Sequence, residues 1–206
     1  MFKLLRKILF LLLAAILGAT AYHYLSNADY RRELVQKAEE AREVLKEDKK
    51  GVPWTGTAVV AEVVKGDRAK VDLEASRKVL VRLAGIDAPE LAKDRYHKGQ
   101  PLAEQSRDYL LKLIQGKAVE MAIVGTDATK TPLVLLTLEG VLINAKVVEA
   151  GFAEVTTETS EPIPAKQRHA IENAELKAKK GRLGIWGLTN YVRPVEFRIR
   201  QSNNVM

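Results

Sequence analysis

Hydrophobic positions fall into four textures along the chain. From Ile8 to Leu25 the run "ILFLLLAAILGATAYHYL" is apolar on every side and shows no polar face. Its eighteen residues, at about 1.5 Å each, span about 27 Å, just enough for a hydrocarbon core of about 30 Å. Tyr22 and Tyr24 suit the aromatic belt of a membrane interface. Residues 1–25 are therefore expected to be a single-pass N-terminal membrane anchor. A cleaved signal peptide on an exported protein is the rival reading, because Ala19-Thr20-Ala21 has the small-x-small form of a cleavage site. Lys3, Arg6 and Lys7 before the run balance Arg31, Arg32 and Lys37 after it, so the positive-inside rule chooses neither side nor membrane.

The second texture, residues 26–50, is helical. Ser26 and Asp29 have capping-box spacing, and Tyr30, Leu34, Ala38, Ala41 and Leu45 recur at the helical period. Glu33 precedes Lys37 by one turn. The pattern predicts an amphipathic stalk helix, acting as a solvated spacer or as a surface for a protein partner. Gly51 and Pro53 end it.

From Thr55 the texture turns to short β-runs. "GTAVVAEVV", "AKVDLE" and "KVLVRLAG" are separated by Lys65-Gly66-Asp67 and Ala75-Ser76-Arg77. "PLAEQSRDYLLKLIQG" has helical spacing and closes at Gly116; "KAVEMAIV" and "PLVLLTL" are two further strands. "LINAKVVEAG" and "AKQRHAIENAELKAKKGRLGIWG" read as helices. Residues 55–187 are thus a mainly β domain with helices (α+β): a five-stranded Greek-key barrel of OB type with about three helices. Residues 188–206 read as an extended, basic tail without assignment.

Charge adds little. The net +7 is spread as +3 over 1–54, +2 over 55–187 and +2 over 188–206. The barrel itself is nearly balanced, so bulk basicity is weak support for a nucleic-acid ligand. The absence of cysteine excludes disulfides, thiolate zinc sites and a cysteine nucleophile. His23, His97 and His169 lie far apart, which argues against a histidine zinc site.

The chemistry concentrates in "VRLAGIDAPELA", residues 81–92, where Arg82, Asp87 and Glu90 stand close together. One account is structural: Asp87-Ala-Pro-Glu90 has the spacing of a capping box, with Pro89 suited to a first helical turn. Gly66-Asp67 alone reads as a hairpin turn. The other account is catalytic. Carboxylates with a backbone carbonyl between two of them suit a hard cation, and an arginine fork binds phosphate in two places.

The order of these parts resembles the staphylococcal nuclease-like (thermonuclease) domain over about residues 55–187. "VVKGDRAKV" stands for the family's D-G-D-T turn and "VRLAGIDAPE" for its R-L-x-x-I-D-x-P-E block. "INAKVVEAGFA" and "AELKAKKGRLGIWG" stand for its two later helices. The resemblance implies an OB barrel that cleaves DNA or RNA phosphodiesters. It further implies Asp67 and Asp87 as calcium ligands beside the carbonyl of Ala88, with Mg²⁺ or Mn²⁺ as the other hard cations. Glu90 would orient or deprotonate water and Arg82 would bind the phosphate.

The chain also departs from the pattern. Lys65 replaces the first Asp of D-G-D-T, and Arg68 replaces its Thr. In "DATKTPL" the second phosphate-binding arginine aligns with Thr131, with Lys130 as a candidate substitute. The two positions that carry base-stacking aromatics in the family fall near Thr157 and Thr159, within "TTETSEP", where this chain has no aromatic. The expectation is a membrane-anchored, Ca²⁺-dependent nuclease of reduced or altered efficiency. The alternatives are a catalytically inactive nuclease-fold module binding nucleic acid or a protein, and a tethered scaffold.

Overall fold

The computed structural model describes residues 32, 54–73, 78–94, 98–156 and 163–203. The expected anchor (1–25), Thr157 and Thr159 lie outside the described residues, as does the stalk (26–50) apart from Arg32, which is helical and exposed. Among the described residues no helix is long and apolar enough to cross a membrane. The chain divides into units 1–49 and 50–206, and the barrel belongs to the second.

Five strands close on themselves. β1 (Trp54–Lys65), β2 (Arg68–Asp72) and β3 (Lys78–Leu83) form an antiparallel meander. A short β4 (Ile86–Asp87) and helix α1 (Ala103–Ile114) lead to β5 (Ala118–Thr126) and β6 (Pro132–Leu138). The barrel order is β3-β2-β1-β5-β6, and a parallel pairing of Arg82 with Leu133 and Leu83 with Val134 shuts it. Register shifts in β1 between Val60 and Glu62, and between Val63 and Lys65, mark the bends that closure needs. This is the five-stranded barrel expected from the period-two runs.

β7 (Val141–Leu142) joins the barrel edge, and β8 (Glu154–Val155) pairs with β4. Helices α2 (Ile143–Glu149), α3 (Ala165–Gly181) and α4 (Pro194–Asn203) complete the unit. Among the described residues of this unit the α-helices number four where about three were expected. The extra one is α4, formed by residues read as an extended tail.

Val60, Val71, Val81, Leu83, Ile86, Leu110, Ile114, Leu133 and Leu136 are fully buried in one continuous core. Each contributes roughly 1.5–3 kcal/mol of burial against an exposed reference. Asn144 is the buried polar pin. Its amide donates to the carbonyls of Ala84 and Val134 at 2.9 and 3.0 Å and accepts from Leu136 N–H at 3.0 Å. It locks α2 to the turn between β3 and β4. Gly151 and Gly184 both adopt positive φ, and a side chain on either would run into the other's backbone neighbourhood. That contact seats the segment after α3 against the end of α2.

Candidate active site

Residues 81–89 are buried without interruption, and the site grows from that stretch. β3 places Arg82 on the barrel wall opposite Arg68 of β2. The turn after β1 then carries Asp67 inward, and the Leu83 N–H donates to the Asp67 carbonyl at 2.8 Å. Gly66 is required in that turn because a Cβ would collide with the Ser106 hydroxyl and press on Ala88. Ser106 is itself fixed by donating to the Phe152 carbonyl at 2.7 Å. Asp67 and Asp87 are both 0% exposed.

Asp87 lies in β4, in register with Glu154 of β8, so it does not begin a helix. Residues 88–92 are non-helical, which removes the capping-box account of Asp87 and Glu90. Glu90 is set instead by Gln100. The Glu90 N–H donates to Gln100 Oε1 at 2.9 Å, and the Gln100 N–H donates to the Glu90 carbonyl at 2.7 Å.

The side chains then converge. Arg82 donates through Nε to Asp67 Oδ2 at 3.3 Å and through Nη2 to Asp87 Oδ1 at 3.2 Å. Lys65 Nζ donates to Glu90 Oε1 at 2.8 Å and lies 3.6 Å from Asp67 Oδ1. Arg198 of α4 donates to Asp87 Oδ1 and Oδ2 at 3.0 and 2.9 Å, and to Glu90 Oε1 at 2.8 Å. The predicted residues Asp67, Arg82, Asp87 and Glu90 are therefore brought together. Ala88 is buried between the last two.

Arg198 escaped the sequence reading, and so did the positive role of Lys65. Pro194 at the start of α4, Glu196 in its first turn and Arg200 in its last are the local helix signals that were available. The approach to α4 is fastened by polar contacts. Gln100 Nε2 donates to the Val192 carbonyl at 2.7 Å, while Tyr191 and Arg193 donate to the buried Glu154 at 2.9 and 2.8 Å.

The segment before β6 is committed elsewhere. Asp127 Oδ1 accepts from Thr129 N–H at 2.9 Å, Thr129 Oγ1 at 2.6 Å and Thr131 N–H at 3.0 Å. Arg68 faces the same carboxylate at 3.8 Å. Lys130 is exposed at positive φ in this turn. A half-open hollow of about 350 Å³, lined in part by Thr55, Glu120, Met121 and Gln167, shares no residue with the charged cluster.

Burial raises the carboxyl of Asp87 above its ordinary range, and the nearby Asp67 adds to this; the Arg198 hydrogen bonds and the charges of Arg198 and Lys65 oppose it. Burial likewise raises Glu154, against the bonds from Tyr191 and Arg193.

Donor chemistry alone suits a hard cation, since Asp67 Oδ1 is buried without a hydrogen-bond partner. The arrangement does not. Asp67, Asp87 and Glu90 are already opposed by Lys65, Arg82 and Arg198, one formal positive charge for each negative. Among the described residues no three acidic or histidine side chains gather about one metal position. The geometry of the site therefore does not fit a divalent ion unless Lys65 or Arg198 withdraws.

Residues 80–187, more than half of the chain, match the family model described as staphylococcal nuclease homologue. The chain belongs to that family. The family match begins after the Lys65-Gly66-Asp67 turn and ends before α4. An uncharacterized endonuclease of Haemophilus influenzae is 29% identical over 150 residues, covering 72% of this chain and 76% of its own length. The probable staphylococcal-like nuclease CAN1 of Oryza sativa subsp. japonica is 27% identical over 128 residues, covering 62% of this chain and 35% of its own length. The probable endonuclease LCL3 of Verticillium alfalfae is 28% identical over 138 residues, covering 61% and 46% respectively. The chain thus spans about a third of the rice relative's length. Family membership and these relatives support a nuclease-like function in general terms.

Proposed function

We propose that this nuclease-family domain hydrolyses nucleic-acid phosphodiesters at the Asp67–Arg82–Asp87–Glu90 cluster. The observation that carries this reading is the convergence of Glu90, a carboxylate 21% exposed, with the fork of Arg82 through their shared neighbour Asp87 and its partner Arg198. Glu90 stands at the solvent edge, where it accepts the proton of an attacking water. The water oxygen bonds to phosphorus, the bond to one ester oxygen breaks, and that oxygen leaves with the electron pair. Arg82 neutralises the charge growing on the non-bridging oxygens, and buried Asp67 and Asp87 hold its guanidinium in plane. Lys65 fixes the Glu90 carboxylate and adds a positive charge beside it.

The calcium implied by the family resemblance would draw on Asp67, Asp87 and the Ala88 carbonyl. No step is routed through it, because protein cations hold those carboxylates. The membrane anchor at residues 8–25 belongs to the same proposal and rests on the apolar run alone.

The competing reading is a binding module without catalysis. It is favoured by the charge balance of the cluster, which would equally serve as a structural network. The deciding experiment is cleavage of labelled single-stranded DNA and RNA by the full chain in detergent, with and without Ca²⁺, Mg²⁺ or Mn²⁺. Cleavage by the wild type that Glu90→Gln abolishes supports the enzyme. Binding without cleavage under every condition supports the module.

A further inference from the structure

Resting on the phosphodiesterase reading, we infer that Arg198, on a helix outside the family match, is a phosphate-binding arginine of this site and acts beside Arg82. Both guanidinium groups donate to the same oxygen, Asp87 Oδ1, at 3.2 and 3.0 Å. Two forks that share one acceptor lie within reach of a single phosphate group. A phosphodiester offers two non-bridging oxygens, and bidentate donors on two sides match them better than one fork does.

Exposure sets the order of approach. The Arg82 and Lys65 side chains are 10% exposed and Asp87 is 1% exposed, whereas Arg198 is 35% exposed. A phosphate arriving from solvent therefore meets Arg198 first, with Glu90 directly beside it at 2.8 Å. The same guanidinium thus touches both the incoming group and the base that acts on it.

The placement is built into the fold. The Gln100 main chain donates to the Glu90 carbonyl, while its buried side chain accepts from the Glu90 N–H and donates to the Val192 carbonyl, so one residue spaces the main chain of the base from the approach to α4. Glu154, 2% exposed and paired in register with Asp87, receives Tyr191 and Arg193 on the same approach. Both fasteners join the approach to α4 to the main chain of the two residues whose carboxylates Arg198 contacts. Arg200, by contrast, pairs with Glu196 along the helix at 3.7 Å, and its side chain is 65% exposed.

The test compares wild type with Arg198→Ala, Arg198→Lys and the control Arg200→Ala, all as the full chain in detergent. Two readouts are used: cleavage of labelled oligonucleotides, and anisotropy with a phosphorothioate oligonucleotide over a salt series. Arg198→Ala should lower kcat about 10³-fold and should reduce the slope of log Kd against log salt by about 1. Arg198→Lys keeps the charge and the fold, yet lacks the fork, so it should recover only a minor part of kcat. Added guanidinium ion should restore cleavage to Arg198→Ala and leave wild type unchanged. Arg200→Ala should match wild type in kcat. Faster cleavage by Arg198→Ala would overturn the inference and make α4 a blocking element. Unchanged kcat and unchanged salt slope would overturn it as well, leaving a structural ion pair. If wild type fails to cleave, the enzyme reading falls by itself. The salt slope then decides Arg198: a drop of about 1 in Arg198→Ala supports the phosphate contact, and no drop refutes it.

Discussion

The Lys65 ammonium donates to Glu90 Oε1 at 2.8 Å across a separation of 25 residues. A lysine that the sequence shows only as a lost acidic residue thus holds the proposed base of the site. Glu90→Gln keeps an acceptor oxygen for Lys65 and Arg198 but cannot take a proton. Cleavage should fall about 10²–10⁴-fold, while stability falls by roughly 1–3 kcal/mol, because two charge-assisted bonds become bonds to a neutral acceptor. Initial rates and urea melts measure the two effects. Equal rates for variant and wild type would remove Glu90 from the chemistry.

Lys65→Asp probes the cation question directly. The substitution replaces a positive charge 3.6 Å from Asp67 Oδ1 with a further oxygen donor. Ca²⁺ binding to the full chain, followed by calorimetry, should tighten at least tenfold over wild type, roughly 1.4 kcal/mol. Tight binding to wild type that Lys65→Asp leaves unaltered would place the ion away from this turn.

The barrel was legible because its strands are short Val- and Leu-rich runs broken by turn residues, a pattern that sheet burial imposes directly. Asp67, Arg82, Asp87 and Glu90 were legible because their residue types and order resemble a known site. The capping reading failed at Asp87 because burial in β4 opposite Glu154, a long-range pairing, overrode a local helix-start pattern. Arg198 was hidden for a different reason. Among the residues of α4 only Pro194 is buried, so the helix has no apolar stripe to show a period. It docks through Arg198 on Asp87 and Glu90, and its approach through Gln100 and Glu154; polar contacts between distant residues leave no spacing in the sequence.

Glu154 gives a pH dependence of known sign. Burial raises its folded-state carboxyl above the ordinary value of 4.5, against the bonds from Tyr191 and Arg193 and with Asp87 nearby raising it further. In the window just above 4.5 the folded chain therefore binds more protons here than the unfolded chain. The contribution to stability grows as pH falls through that window and is lost as pH rises. Glu154→Gln lacks this term, so the stability of wild type relative to the variant should increase between pH 7.5 and pH 5 in urea melts. A constant or shrinking difference would contradict the raised carboxyl.

The apolar run from Ile8 to Leu25 makes a separate prediction. If it is retained as an anchor, the full chain should sediment with membranes and resist carbonate extraction, and replacing Leu11, Leu12 and Leu13 by Lys should release it. A mature N-terminus at Tyr22, found by peptide mapping, would favour the cleaved signal peptide instead.

Thr131→Arg separates two routes to a second arginine. Thr131 lies two residues before Leu133, which pairs with Arg82 across the barrel seam, so an arginine there starts just before the strand next to the site. Its backbone N–H can keep its bond to Asp127, and the half-buried side chain gives up only a hydroxyl contact with Thr129. With Arg198 already at Asp87 and Glu90, Thr131→Arg alone should change the cleavage rate less than about tenfold, because a third arginine adds little once Arg82 and Arg198 meet the phosphate charge. In the Arg198→Ala background the same substitution should raise the rate by roughly one to three orders of magnitude. The decisive comparison is therefore the double-mutant cycle, in which the two changes should be strongly non-additive. A large gain from Thr131→Arg in the wild-type background would show that the position next to Arg82 was catalytically vacant all along, and that Arg198 serves the carboxylates rather than the phosphate.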